Sequence, residues 1–343
     1  EEYLEMVSKL SPGALSVISG FLFYNLNGIL YLWGGISTYI TSYLRQFDPE
    51  LSLHDSAILL PIGLLVQTCC FPISHYVTRT YGVKAAMIAA WSCFSFAPLL
   101  GSFATSFWTF VLGYNILFSI GIGLSFLAIS MSAWCYYPKK KGLVTGLMMS
   151  GFGTGPFVAN FIAQALVNPN NEEATEKEGD LSYFGPDVYE NVPRMLRVFS
   201  VIYFCIGLTG LVILKVPDTL KTESQLAADA AQEQTSSSNV VFPNAIEETK
   251  VEEEGCTSVR EAAQTGVFWR LALCALFGLC LPFYIIDVYK MIGSQYYHDD
   301  AFLTVVGSFG VLANGTSRVI WGQLLDSCGF IKSWLVVLSI QVV

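Results

Sequence analysis

The chain has 343 residues, 53% of them hydrophobic and only 13% charged, with a mean hydropathy of +0.52. Ordinary soluble domains carry about a quarter charged residues, so this composition excludes one and calls for an all-α polytopic membrane protein. The net charge of −9 marks no acidic binding face, because most acids fall in two hydrophilic stretches, 168–190 and 218–261, and no basic concentration invites nucleic acid.

Counting about 20 apolar residues per crossing, we place spans at 15–43, 56–76, 83–103, 107–136, 143–167 and 196–216. After a polar stretch come 268–288, 301–325 and an incomplete span from about Phe330. Residues 1–216 then form an amino-terminal six-helix bundle, 217–262 a linker and 263–343 a partial second bundle. The segment Lys221 to Arg260, with TSSSN and EETKVEEE, has too little apolar surface to offset the entropy of ordering and reads as disordered. The chain starts at Glu1 without a signal pattern and stops at Val343 inside a short apolar run, which reads as a fragment.

Lysine and arginine in short loops set the orientation. Lys139, Lys140 and Lys141 between the fourth and fifth spans, with Arg79 and Lys84 between the second and third, place those loops and the amino terminus in the cytoplasm; Arg194 and Arg197 count against it. The nine cysteines show no C-x-x-C pair and read as small helix-packing residues. His54, His75 and His298 stand far apart at predicted helix ends, so no metal site or cofactor is expected, and no nucleophile, base and oxyanion donors cluster as an enzyme would need.

Within the spans, polar residues interrupt apolar runs. The first span contains GILYLWGGISTYITSYL, where Tyr31 faces a cavity or packs between helices. Tyr114 and Asn115 break the fourth span; they line a cavity or bond across helices. The GFGTGP run, Gly151 to Pro156, lacks a preceding strand and the G-x-G-x-x-G spacing, so it reads as close helix packing and not as a phosphate loop. Asp287 and Lys290, one turn apart, form a gate pair or, for the lysine, simply snorkel.

The stretch VLANGTSRVIWGQLLDSCGFIK, Val311 to Lys332, organises the rest. Arg318 sits in a run of apolar and small residues and shares a helical face with Asn314 and Gly322. At the centre of a membrane helix an arginine costs about 2.5 to 3.5 kcal/mol on insertion scales, so it needs a watery cavity and a partner, most simply an anion. Beyond it, Gly322, Asp326 and Gly329 form a G-x-x-x-D-x-x-G turn at a membrane surface. The sequon at Asn314 lies inside this span and is discounted.

This run resembles the eighth helix and following loop of major facilitator superfamily transporters, in the branch of oxalate/formate antiporters and monocarboxylate transporters. YYPKKKGLVTG with GFGTGP, and Tyr31, Trp33 and Gly34 in the first span, resemble the same branch. HYVTRTYGVK keeps only Gly82 and Lys84 of the first-half loop motif. The resemblance implies a secondary transporter of small organic anions, mono- or dicarboxylates, working by alternating access with a co-transported proton or an exchanged anion. It implies that Arg318 binds the substrate carboxylate, with Tyr31 beside it, and that Asp326, Gly322 and Gly329 act in the conformational change; as polar residues within the spans, Asn314, Tyr114 and Asn115 join the candidate binding residues, and Lys290 the candidate gating ones. Monocarboxylate transporters carry aspartate where this chain has Asn314. A non-transporting receptor or assembly subunit on the same scaffold is the alternative.

Overall fold

The computed structural model describes residues 10–178, 181–220, 261 and 263–341. Within them the first helix, α1 (Pro12–Leu44), starts where Ser11 accepts the Ala14 N–H at 3.2 Å and Pro12 opens the first turn, where its missing N–H costs nothing. α2 (Leu59–Tyr81), α3 (Val83–Gly101) and α4 (Phe107–Tyr136) follow. Then come α5 (Lys141–Met149), α6 (Gly151–Val167) and α7 (Pro186–Ile213). The remaining helices are α8 (Gly266–Gly293), α9 (Asp300–Cys328) and α10 (Phe330–Gln341).

Burial separates inner from outer helices. α1 and α4 bury 67% of their most apolar windows, whereas α2 and α7 bury only 28%, with Leu65, Ile73, Val201 and Val212 exposed. Water would not tolerate so much apolar surface, and lipid does. Because the inner helices cannot exploit a hydrophobic drive in lipid, they use polar bonds. Ser16 meets Ser132 at 3.1 Å, Ser19 donates to the Gly210 carbonyl at 2.8 Å, and the Tyr24 hydroxyl meets Ser130 at 2.7 Å. These bonds staple α1 to α4 and α7.

Several sequence expectations are refined. Five helices, among the described residues, are long and apolar enough to cross a membrane. The fifth expected span is divided at Ser150 into α5 and α6, whose hydrogen-bond ladder nevertheless runs on from Gly146 through Ser150 to Thr154. The turn expected between the second and third spans shrinks to one residue: α2 runs through Tyr81, and Gly82 takes φ 87°, a left-handed conformation that favours glycine. His75 therefore lies within α2 and not at its end. The same device ends α9, where Gly329 takes φ 79°, so Gly322 and Asp326 are helical and not in a turn.

The stretch at 168–190 is more than a loop. Glu176–Glu178 and Leu181–Tyr183 pair antiparallel, and the following Tyr183 and Phe184 are buried against α1. Arg45 covers the Tyr183 ring at 4.1 Å, and Ser42 accepts the Phe184 N–H at 3.0 Å. Cysteines 69, 135, 205, 274 and 328 are exposed and free, so they face outward and do not serve as interior packing. The expected linker, Lys221 to Arg260, lies outside the described residues.

The chain divides into two compact units, residues 1–222 with 286–343, and residues 223–285. The described part of the second is the leading portion of α8, where the Trp269 indole donates to the Ala263 carbonyl at 2.9 Å.

Candidate functional site

α9 is 29 residues long, and it carries three of the charged residues that matter: Asp300 at its start, Arg318 in its body and Asp326 near its end. Its approach to α5 and α6 is backbone on backbone. A Cβ on Gly146 would lie 2.4 Å from the Arg318 carbonyl oxygen, one on Gly322 2.3 Å from that of Gly142, and one on Gly153 2.4 Å from that of Val311. No real Cβ fits at such distances, so glycine spacing sets how close α9 comes and hence where Arg318 points.

Arg318 is partly buried and meets neutral groups. Its Nη2 donates to Asn314 Oδ1 at 3.0 Å and to the Tyr31 hydroxyl at 3.3 Å, and Nε reaches Asn314 Oδ1 at 3.3 Å. Nη1 has only the Met149 sulfur at 4.0 Å, a weak acceptor. No carboxylate among the described residues pairs with it. A cavity of about 510 Å³ opens beside the guanidinium, lined by Trp134, Thr145, Gly146, Met149, Trp321 and Arg318 itself among others. That volume falls within the range of small-molecule sites, about 300 to 1,000 Å³. Chemically, the arrangement offers a fixed positive charge with spare N–H groups at the edge of a cavity.

Of the residues singled out from sequence, Arg318, Asn314 and Tyr31 come together. The 3₁₀ turn Ile29–Leu32 interrupts α1 at Tyr31, and the ring is 8% exposed. Tyr114 and Asn115 do not join them. They sit in a π-helical turn of α4, Val111–Ile116, with Tyr114 stacked between Phe110 and Phe118 and Asn115 donating to the Leu59 carbonyl at 2.9 Å. Both border a separate cavity of about 20 Å³ beside Trp33 and Ser119, room for about one water.

Asp326 reaches across to α5. Its two carboxylate oxygens accept the backbone N–H groups of Gly142 at 2.9 Å and Leu143 at 2.7 Å. These are the second and third residues of α5, whose unpaired N–H groups and positive dipole end favour an anion. Asp326 thus caps a helix in another part of the chain, with Gly322 making the close approach and Gly329 ending α9 just beyond.

Lys290 departs from the snorkelling expectation. It is 2% exposed, and its ammonium meets Asp300 Oδ1 at 2.7 Å, the Gly35 carbonyl at 3.1 Å, the Tyr39 hydroxyl at 3.4 Å and Thr304 Oγ1 at 3.5 Å. The Asp300 Oδ2 accepts from the Tyr39 hydroxyl and from Asn168 Nδ2, the latter at 3.1 Å. The ion-pair partner is therefore Asp300 on α9; the side chain of Asp287, the partner expected from sequence, lies outside the described residues. The sequence reading missed this cluster, although an acid opening one span within reach of a lysine closing the previous one was a legible signal. It also missed Phe152, whose ring centroid lies 4.8 Å from Arg318 Cζ. Among the described residues no three histidine, cysteine or acidic side chains gather as a metal site would require.

Apolar outer helices, polar staples inside and a guanidinium at a cavity edge define a multi-pass helical membrane protein. The chain matches the Major Facilitator Superfamily model over residues 13–343 and belongs to that family. It is 26% identical to a protein of Toxoplasma gondii named apicoplast pyruvate carrier 1, across 93% of this chain and 68% of that one. It is 31% identical to monocarboxylate transporter 12 of Xenopus laevis across 29% of this chain and 21% of that one, and 29% identical to the mouse protein of the same name across 38% and 27%. The chain thus spans about two thirds of the first relative and about a quarter of the other two. The crystal structure of a D-xylose–proton symporter aligns with a TM-score of 0.46 at 15% identity, covering 89% of this chain and 67% of that one.

Proposed function

We propose that the chain is part of a secondary transporter of small organic carboxylates, with Arg318 as the ligand of the substrate anion. The observation that carries this reading is the guanidinium's partner set: Asn314, Tyr31 and a thioether, all neutral, with a cavity alongside. A positive charge in an apolar helix demands compensation, and a carboxylate arriving through the cavity supplies it. The relatives named for pyruvate and monocarboxylates support the same substrate class.

In this reading residues 1–216 and 263–343 belong to two bundles joined by a cytoplasmic linker at 217–262, with the amino terminus cytoplasmic. The bundles rock about the Arg318 level to expose it to either side. Asp326, Gly322 and Gly329 stabilise one access state at one end of α9. Lys290 with Asp300 stabilises the other end, since Asp300 lies about 27 Å from Arg318 along the helix and Asp326 about 12 Å the other way. Tyr114 and Asn115 support the bundle around α4.

The test is uptake and binding of pyruvate by the full-length protein in liposomes. Arg318→Gln abolishes both, and Arg318→Lys leaves weak uptake, because an ammonium keeps the charge and loses the planar fork. A folded Arg318→Gln protein that transports carboxylates as the parent does would end this reading.

A further inference from the structure

We infer that Phe152 is a positioning residue: its ring is the fixed surface against which the Arg318 guanidinium lies, and it sets the plane in which that group meets a planar carboxylate. The inference rests on the carboxylate reading above and adds to it a residue that the GFGTGP run carried only as helix packing.

Three observations carry it. The Arg318 Cζ stands 4.8 Å from the Phe152 ring centroid, within the distance at which a ring face attracts a cation. The ring itself cannot swing away, since it is 5% exposed and packs against Tyr24, Tyr31 and Phe126 with centroids 5.4, 5.7 and 6.1 Å away. The backbone that carries it is held as well. A Cβ on Gly28 of α1 would lie 2.6 Å from Phe152 Cα, one on Gly151 2.5 Å from the Phe21 carbonyl oxygen, and one on Gly153 2.4 Å from that of Val311 on α9. Residue 152 is thus pinned between α1 and α9 by glycines on either side of it.

The consequence follows from the freedom of a long side chain. An arginine with several rotatable bonds loses entropy when it engages an anion, and a wall that already fixes one face reduces what remains to be lost. Asn314 and Tyr31 hold the Nε and Nη2 edge. Phe152 holds the face. The Nη1 group has only the Met149 sulfur, and Met149 lines the cavity with Arg318.

Two measurements on the full-length protein test this. In liposomes, Phe152→Leu raises the apparent KM for pyruvate about two- to thirtyfold, the range expected for losing a cation–ring contact, with the maximal rate little changed. Phe152→Tyr, which keeps the ring, restores the parent KM. Independently of any substrate, phenylglyoxal, which attacks the guanidinium, modifies Arg318 faster in Phe152→Leu than in the parent or Phe152→Tyr, read by peptide mass spectrometry with melting temperature matched. If the leucine variant shows the parent KM and the parent labelling rate, Phe152 does not position Arg318. If the parent takes up no carboxylate, the transport reading falls, and the labelling rate alone then decides whether Phe152 orders the guanidinium.

Discussion

Lys290 and Arg318 are both cations set among apolar helices, and their surroundings differ in kind. Lys290 has a carboxylate at 2.7 Å and three further oxygens, and the small cavity at its side is about 30 Å³. Its partner Asp300 is filled in turn by Tyr39 and Asn168. Arg318 has neutral partners and a cavity of about 510 Å³. A charge taken out of water is therefore not by itself the mark of a binding site. The lysine cluster is neutral and closed, so it holds helices together. The arginine is charged and open, so it has a place for an anion.

The largest expected effect separates the two directly. Asp300→Ala leaves an ammonium buried without a counter-charge, which costs about 3 to 5 kcal/mol. The double variant Lys290→Met with Asp300→Leu recovers most of that loss, because a well-packed apolar pair replaces a buried ion pair at little cost. Thermal unfolding in detergent reads both. Arg318→Met in the same assay costs less, about 1 to 3 kcal/mol at most, since it leaves no opposite charge behind and only the neutral Asn314 and Tyr31 lose a donor. Equal losses in the single and double variants, or a collapse on Arg318→Met, would break the comparison.

That contrast was half legible in the sequence. Arg318 announced itself because one residue in the wrong solvent is a local fact, and its neighbours Asn314 and Gly322 follow from helical spacing. For Lys290 the pairing with Asp300, ten positions on, was legible and overlooked, whereas Tyr39 and Asn168 lie 251 and 122 positions away and which polar residues meet is settled by packing. Phe152 looked like one more aromatic in a glycine-rich helix. The helices themselves were plain from apolar runs, but the fate of the connections was not. Gly82 and Gly329 end their helices late, through a left-handed residue, so loops read from composition became helix.

The approach of α9 to α5 and α6 gives the next effect. Gly315→Val would place a Cβ 2.5 Å from the Gly153 backbone, and neither helix can yield there without separating. Overpacking of this kind costs about 1 to 3 kcal/mol, and it shifts Arg318 away from Tyr31. Loss of carboxylate binding with modest loss of stability is the expected outcome; unchanged binding would mean that the glycine stripe does not set the arginine's position. Asp326→Asn is milder. Exposed to solvent, its carboxylate stabilises the α5 amino terminus by about 0.3 to 1 kcal/mol. The variant slows transport and leaves equilibrium carboxylate affinity nearly intact, because the two residues are separated by about 12 Å along α9. A large affinity loss would move Asp326 into the binding site.

The smallest effect comes from the residue beside Asp300. Asp299 caps α9 from outside, accepting the Phe302 N–H and the Asn171 amide, each at 3.0 Å. Those two donors, the backbone N–H first, hold its carboxyl below the ordinary aspartate value of 3.8. A group whose folded pKa is depressed contributes stability that is fully present above the unfolded value and is lost as pH falls through the folded one. The parent should therefore lose stability on acidification, from just above pH 4 downward, by an increment that Asp299→Asn lacks. At neutral pH the two proteins should differ little, because asparagine is also a good amino-terminal cap. Melting temperature against pH, parent minus variant, reads this. A difference that falls toward acid, as the parent loses an increment the variant never had, places the charge where the hydrogen bonds put it, on the solvent side of the helix start. A constant difference would mean that Asp299 acts as a neutral cap, leaving Asp300 as the charge at this end of α9 that matters to the fold.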